Sequence, residues 1–180
     1  VAEENITASN TNSLTSNKNY WTVQDEEKAT KGSWVIPPAE GWTATGVSIF
    51  DHALQPGNMA MIGTADDKTG LLASVALRLS PPPSCLITTE PEKILSDSIP
   101  LLKVADNTDA VLAMGRYARD KMKGRVLGIT GSAGKTTCVA MVADALSARE
   151  PTCTCNNNAN LPRGVAWNIA SIPSDRQRFV

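Results

Sequence analysis

The run Val126-Leu127-Gly128-Ile129-Thr130-Gly131-Ser132-Ala133-Gly134-Lys135-Thr136-Thr137 has the residue types and spacing to hold a phosphate. It reads as a buried strand, a glycine-rich turn and the first turn of a helix. Such a turn aims several backbone N–H groups at one anion, and the helix N-terminus behind it favours negative charge. Lys135 brings a point charge to the outer phosphates, and the Thr136 hydroxyl can ligate Mg²⁺. Gly131, Ser132, Ala133, Gly134, Lys135, Thr136 and Thr137 are the candidate nucleotide-binding residues. The commoner phosphate-loop spacing wants a glycine where this chain has Ile129. The motif is therefore the narrower form Thr-Gly-x-x-Gly-Lys-Thr-Thr. A glycine-rich turn that merely redirects the chain is the plain alternative, and the lysine and paired threonines weigh against it.

Elements that must position this loop follow from composition and punctuation. The 180 residues suffice for one large or two small domains. Lys+Arg 17 against Asp+Glu 18 leaves the charge balanced, which argues against a nucleic-acid surface. No apolar run approaches the roughly 20 residues that span a bilayer. The first residues are acidic and polar rather than a basic and apolar leader, so a cytoplasmic protein is the default expectation. Cys85, Cys138, Cys153 and Cys155 do not suggest a disulfide framework. Cys153-Thr154-Cys155 reads as alternation in a short strand rather than half of a metal site, and His52 is the single histidine.

Along the chain, residues 1–30 read as a flexible lead-in, with structure beginning near Trp34-Val35-Ile36 and broken by Pro37-Pro38. Strands are expected over 46–50, 59–63, 84–88 and 101–104, with a turn at Gln55-Pro56-Gly57-Asn58. Apolar density predicts a packed helix over 69–79, stopped by Pro81-Pro82-Pro83. A longer helix runs from a cap at Asn107 or Thr108 to about Lys123, with Val111, Met114, Ala118 and Met122 as its stripe and Gly124 closing it. Residues 135–148 make the next helix, with Cys138, Val142, Ala145 and Leu146 on one face. A strand over 152–155 and a helix over 165–170 follow. Strands alternating with helices indicate an α/β fold.

Three blocks resemble the Mur ligase superfamily, the ATP-dependent amide ligases that add amino acids to peptidoglycan precursors. The likeness is greatest to the branch that adds the D-alanyl-D-alanine dipeptide. The blocks are Gly128 to Thr137; Asn158-Ala159-Asn160 with Gly164; and Gly46-Val47-Ser48-Ile49 followed by Leu54-Gln55-Pro56-Gly57. Val104-Ala105-Asp106-Asn107 with Ala110 adds to them. The resemblance implies a small α/β substrate domain over 31–123, followed at 124–180 by the first βα units of a Rossmann-like P-loop ATPase domain. It implies ATP and Mg²⁺ as cofactors and small-molecule partners, a carboxylate-bearing precursor and an amino acid or dipeptide, without nucleic acid or membrane. Lys135 would be the catalytic cation, Thr136 the metal ligand, and Ser48, Asn158 and Asn160 substrate contacts. Turn chemistry is the alternative role for the asparagines.

Two departures from the family pattern stand out. Phe50-Asp51-His52 occupies the place of an Asp-Ser-Arg triplet whose Ser and Arg help hold a uridine diphosphate group. An Arg-to-His change loses a bidentate fork, so weak binding of the UDP-linked precursor is expected. The family's loop with glycine and histidine is replaced by Thr64-Ala65-Asp66-Asp67-Lys68-Thr69. The family's other metal ligands, carbamylated lysine and C-terminal domain have no counterpart in these residues, and Arg178-Phe179-Val180 reads as the entry to another strand. The chain is thus expected to be part of a longer enzyme. The alternatives are a short nucleotide- or partner-binding module without catalysis, and an unrelated P-loop kinase or switch.

Overall fold

In the computed structural model, residues 21–64, 69–155, 159–172 and 178–179 are described here. The elements are β1 (Trp21–Thr22), α1 (Val23–Thr30), β2 (Ser33–Ile36), β3 (Thr43–Ala44), β4 (Gly46–Ser48), β5 (Asn58–Met61), α2 (Ala73–Ala76), β6 (Leu86–Thr88), β7 (Leu101–Lys103), α3 (Asn107–Lys121), β8 (Arg125–Val126), α4 (Lys135–Ser147), β9 (Thr152–Cys153), α5 (Pro162–Ala170) and β10 (Arg178–Phe179). The fold is α/β and rich in parallel strands, as expected.

The larger sheet has the order β2-β7-β6-β5-β4. β4, β5, β6 and β7 run parallel, and β2 lies antiparallel on the edge beside β7. Parallel strands covered on both faces are apolar throughout, and β5 shows this: all four of its residues are buried. Period-two alternation then divides them between two cores. Met59 and Met61 join Val47, Ile87 and Leu102 beneath α3 and α5, where Val111, Met114 and Trp167 pack. Ala60 and Ile62 point the other way, onto Leu71, Ala76, Leu86 and Ile99. A second, three-stranded parallel sheet has the order β8-β10-β9.

Several expectations need correction. Residues 21–30 are no lead-in: Trp21 is buried and its indole N–H donates to the Ala170 carbonyl at 2.9 Å. Thr22 caps α1, accepting from the Asp25 N–H, while Asp25 accepts from the Thr22 N–H in return. This reciprocal box satisfies two N-terminal donors and starts the helix despite polar surroundings. Residues 1–20 lie outside the described residues. The helix expected over 69–79 shrinks to Ala73–Ala76. Leu71 is extended instead, exchanging backbone bonds with Met61 and Gly63, and Gly70 adopts φ +137 to let the chain approach β5. A Cβ at Gly70 would stand 2.5 Å from the Met61 carbonyl oxygen.

The α3 cap is Asp106, one residue ahead of the expected pair, its carboxylate accepting from the Asp109 N–H at 2.7 Å. Asn107 is buried instead, and its amide donates to the carbonyls of Ile62 at 2.8 Å and Thr69 at 3.4 Å. The helix stops at Lys121, so Met122 is its C-cap residue and Gly124 does not close it. α5 begins at Pro162, earlier than expected, and packs closely on α3. At the crossing, a Cβ on Gly115 would lie 2.6 Å from Ala166. The chain therefore returns, after α4, to the core of the larger sheet. On α4, only Ala143 is buried among the described residues; Cys138 and Ala145 are exposed, and Val142 and Leu146 are half-buried. The expected face is uncovered because α4 lies beside the two-residue β9, which offers little area.

Candidate phosphate loop and adjoining cleft

The strand expected to be buried ahead of the loop is instead two exposed residues, Arg125 and Val126, because β8 lies at the sheet edge beside the two-residue β10; the turn and the helix start follow in the expected order. β8 delivers the chain, Gly131 to Gly134 turn it, and α4 starts at Lys135. Gly134 is the N-cap in the left-handed region, φ +74, where glycine alone is unstrained. A glycine cap has no side chain to accept from the first-turn N–H groups, and no side-chain cap bond is made there. Those donors, with the positive end of the helix dipole, are left for an anion. Nothing lies within 4 Å of where a Gly134 Cβ would be. Lys135 folds back over the loop, its Nζ donating to the Gly131 carbonyl at 2.6 Å, which places the ammonium above the turn. Ser132, Ala133, Thr136 and Thr137 are exposed around it. These residues suit a nucleotide phosphate chain, and Thr136 presents a hydroxyl on the first helical turn for Mg²⁺.

A separate cleft of about 330 Å³ opens where α5 begins, lined by Phe50, His52, Asn160, Leu161, Arg163 and Gly164 among others. Phe50 is fixed edge-on against Trp167, ring centroids 5.2 Å apart, and stacks on the His52 ring at 5.4 Å. The Trp167 indole donates to the Val47 carbonyl at 2.8 Å, so the wall rests on β4. His52 Nδ1 lies 3.3 Å from Asp51 Oδ1. The His52 backbone N–H and then its ring hold the Asp51 carboxyl below its ordinary range. Gly164 makes the cleft's base possible, since a Cβ there would meet Ala159 at 2.7 Å.

The three expected substrate contacts fare differently. Asn160 is exposed on the cleft. Ser48 is fully buried at the end of β4, where its hydroxyl donates to the Phe50 carbonyl at 2.7 Å. It shapes the turn that presents Phe50 rather than lining the cleft. Asn158 lies outside the described residues. Sequence reasoning gave Arg163 no role, and placed Thr69 and Thr108 only in a loop and at a helix cap. Arg163 Nη1 donates to Thr69 Oγ1 at 2.8 Å, and Thr69 Oγ1 sits 3.1 Å from Thr108 Oγ1. The nearest signal was position: Arg163 directly precedes Gly164 of the asparagine block.

No protein-family model matches the chain, and no curated protein sequence matches it. Solved structures do. The UDP-N-acetylmuramoylalanyl-D-glutamyl-2,6-diaminopimelate–D-alanyl-D-alanyl ligase of Acinetobacter baumannii superposes with TM-score 0.70 and 26% identity over 93% of this chain. A crystal structure of MurF from the same organism gives TM-score 0.70 and 25% identity over 91% of this chain. MurF ligase from Thermotoga maritima, solved in complex with ADP, is similar in fold, with TM-score 0.52 and 21% identity over 75% of this chain. The chain spans 37%, 35% and 31% of the length of these three structures. In fold the chain resembles the Mur ligases, the family that its sequence also resembles.

Proposed function

We propose that this chain supplies the phosphate loop and part of the substrate-holding face of a Mur-type, ATP-dependent carboxylate–amine ligase. The open, glycine-capped N-terminus of α4 with Lys135 folded over it carries the reading, supported by the likeness to the D-alanyl-D-alanine-adding ligases. ATP supplies the phosphoryl group that turns a carboxylate into an acyl phosphate; an amine of an amino acid or dipeptide then attacks the acyl carbon, forming the amide and expelling inorganic phosphate. A carboxylate and a polyphosphate repel each other, so the site must hold them in line and offset their charge. Backbone N–H groups of Gly131 to Gly134 cradle phosphate oxygens, and Thr137 adds a hydroxyl from the first helical turn. Lys135 exchanges its bond to the Gly131 carbonyl for the charge developing on the transferred group. Thr136 would hold Mg²⁺, which would offset charge on the phosphates. Asn160 orients the precursor through a neutral amide, and Asn158 shares that role. The setting is peptidoglycan assembly in the cytoplasm, on small molecules rather than nucleic acid; no described helix is long and apolar enough to cross a membrane.

In the protein that carries this chain, Lys135→Ala abolishes ligation that depends on ATP and leaves the fold intact, because the side chain is exposed and bonds only its own loop. Product formation from a carboxylate precursor, D-alanyl-D-alanine and Mg·ATP is the readout, with circular dichroism as the fold control. Turnover near wild type in that variant refutes the loop's role. Mg·ATP binding without any ligation by the wild-type protein favours the nucleotide-binding module instead.

A further inference from the structure

We propose that Arg163 is the anion anchor of the cleft at the start of α5, and that the cleft takes an oxyanion, phosphate or carboxylate, of a small-molecule ligand. The proposal deepens the ligase reading by assigning a residue to its substrate face, and rests on that reading for a small-molecule occupant.

Arg163 leaves the first turn of α5 and is held by a hydroxyl relay from two other elements, Thr69 ahead of α2 and Thr108 on α3. Thr69 is buried, so this support is part of the core. A neutral hydroxyl orients a guanidinium without neutralising it. The ion pairs among the described residues are Lys93–Glu90, Lys121–Asp25 and His52–Asp51, and none involves Arg163. Of the five N–H donors on a guanidinium, one is committed to Thr69.

The rest of the cleft agrees in sign. His52 and Asn160 add ring and amide nitrogens, and no carboxylate lines it among the described residues. The neighbouring Asp51 carboxylate is exposed outside the lining and meets the His52 N–H and ring through Oδ1. The α5 N-terminus, capped by Leu161 without a side-chain bond, adds unpaired backbone donors on the same side. Phe50 and its stacked His52 ring close one wall with apolar surface. A planar cation with bidentate capacity, supporting N–H donors and an aromatic wall together select an oxyanion on an organic body. Arg163 thereby brings from α5 the fork that Phe50-Asp51-His52 lacks.

His52 is the single histidine of the chain and lines the cleft, so its imidazole carbon-bound proton signals report binding there. The full chain carrying Lys135→Ala, which disables the phosphate loop, is titrated with inorganic pyrophosphate and separately with glutarate, against sodium chloride at matched ionic strength. One or both probes shift the His52 signals saturably; a pyrophosphate response alone identifies a phosphate ligand, and a glutarate response alone a carboxylate. Adding Arg163→Met weakens the midpoint at least tenfold, as loss of a charge-assisted pair requires. Arg163→Gln does the same while keeping a donor for Thr69, and serves if the methionine variant fails to fold. No saturable shift with either probe, or an unchanged midpoint in the folded Arg163 variant, overturns the proposal. ATP binding lost with Lys135→Ala is measured separately, so the anchor can fail while the ligase reading stands.

Discussion

Glu26 offers the sharpest test of how this fold is held together. It sits on α1, fully buried, and neither carboxylate oxygen has a hydrogen-bond partner among the described residues. Burial first, and then the neighbouring Asp25 charge, push its carboxyl up from 4.5 to about 8. The groups that feel its charge are the buried Cys85 thiol and the Tyr117 phenol. With the folded value above the unfolded one, the folded chain holds an extra proton between them. The Glu26 contribution to stability is full below pH 4.5 and falls as pH rises toward 8. The slope approaches about 1.4 kcal/mol per pH unit, so moving from pH 5 to pH 7 removes about 2–3 kcal/mol. That is a large part of the 5–15 kcal/mol that a domain commonly has (roughly). Asp25 does not blur this window. Burial would raise its carboxyl, but bonds from Tyr117, Lys121 and Thr22 outweigh that and bring it down to about 2, so its own effect is spent below pH 4 (roughly). Glu26→Gln keeps the shape and removes the proton. Urea unfolding followed by tryptophan fluorescence at pH 5, 6 and 7 should show a falling midpoint in the wild type and a nearly flat one in the variant. Parallel pH slopes for the two proteins would refute the reasoning.

Other substitutions probe contacts named above. Gly115→Ala drives a methyl into Ala166 where α3 crosses α5, and should cost about 1–3 kcal/mol by urea unfolding, the range for overpacking. Asn107→Ala leaves the Ile62 and Thr69 carbonyls without their amide donor, costing about 1–3 kcal/mol and speeding amide exchange around Gly63 and Leu71. Trp21→Phe keeps the ring but removes the N–H that meets Ala170; a loss of about 1–2 kcal/mol is expected, with α5 amides exchanging faster.

Local chemistry was read best where it needs only near neighbours. Pro37 cannot continue the ladder, so β2 ends at Ile36. Gly134 followed by Lys135 and two threonines demands a turn into a helix, and α4 starts there. The apolar runs around Met59, Leu86 and Leu101 are strands because they must be buried on both faces. Errors arose where distant residues competed. The apolar density of 69–79 suggested a helix through Leu71, but Gly70 breaks it and the Met61 and Gly63 backbone takes Leu71 into the sheet with two bonds. Asp106 caps α3 because Asn107 is drawn inward to satisfy carbonyls from an earlier loop.

Periodicity, turn residues and the Thr-Gly-x-x-Gly-Lys-Thr-Thr spacing thus determined the α/β class and the glycine turn into α4, since each depends on atoms within a few residues of one another. Only the tertiary structure could seat Trp21 on the end of α5 or bury Glu26 under it all. It alone could bring Arg163 and His52 to one cleft through Thr69 and Thr108. Those arrangements follow from how α3 and α5 pack across the sheet, and no local pattern encodes the distance between residues that meet only when the core closes.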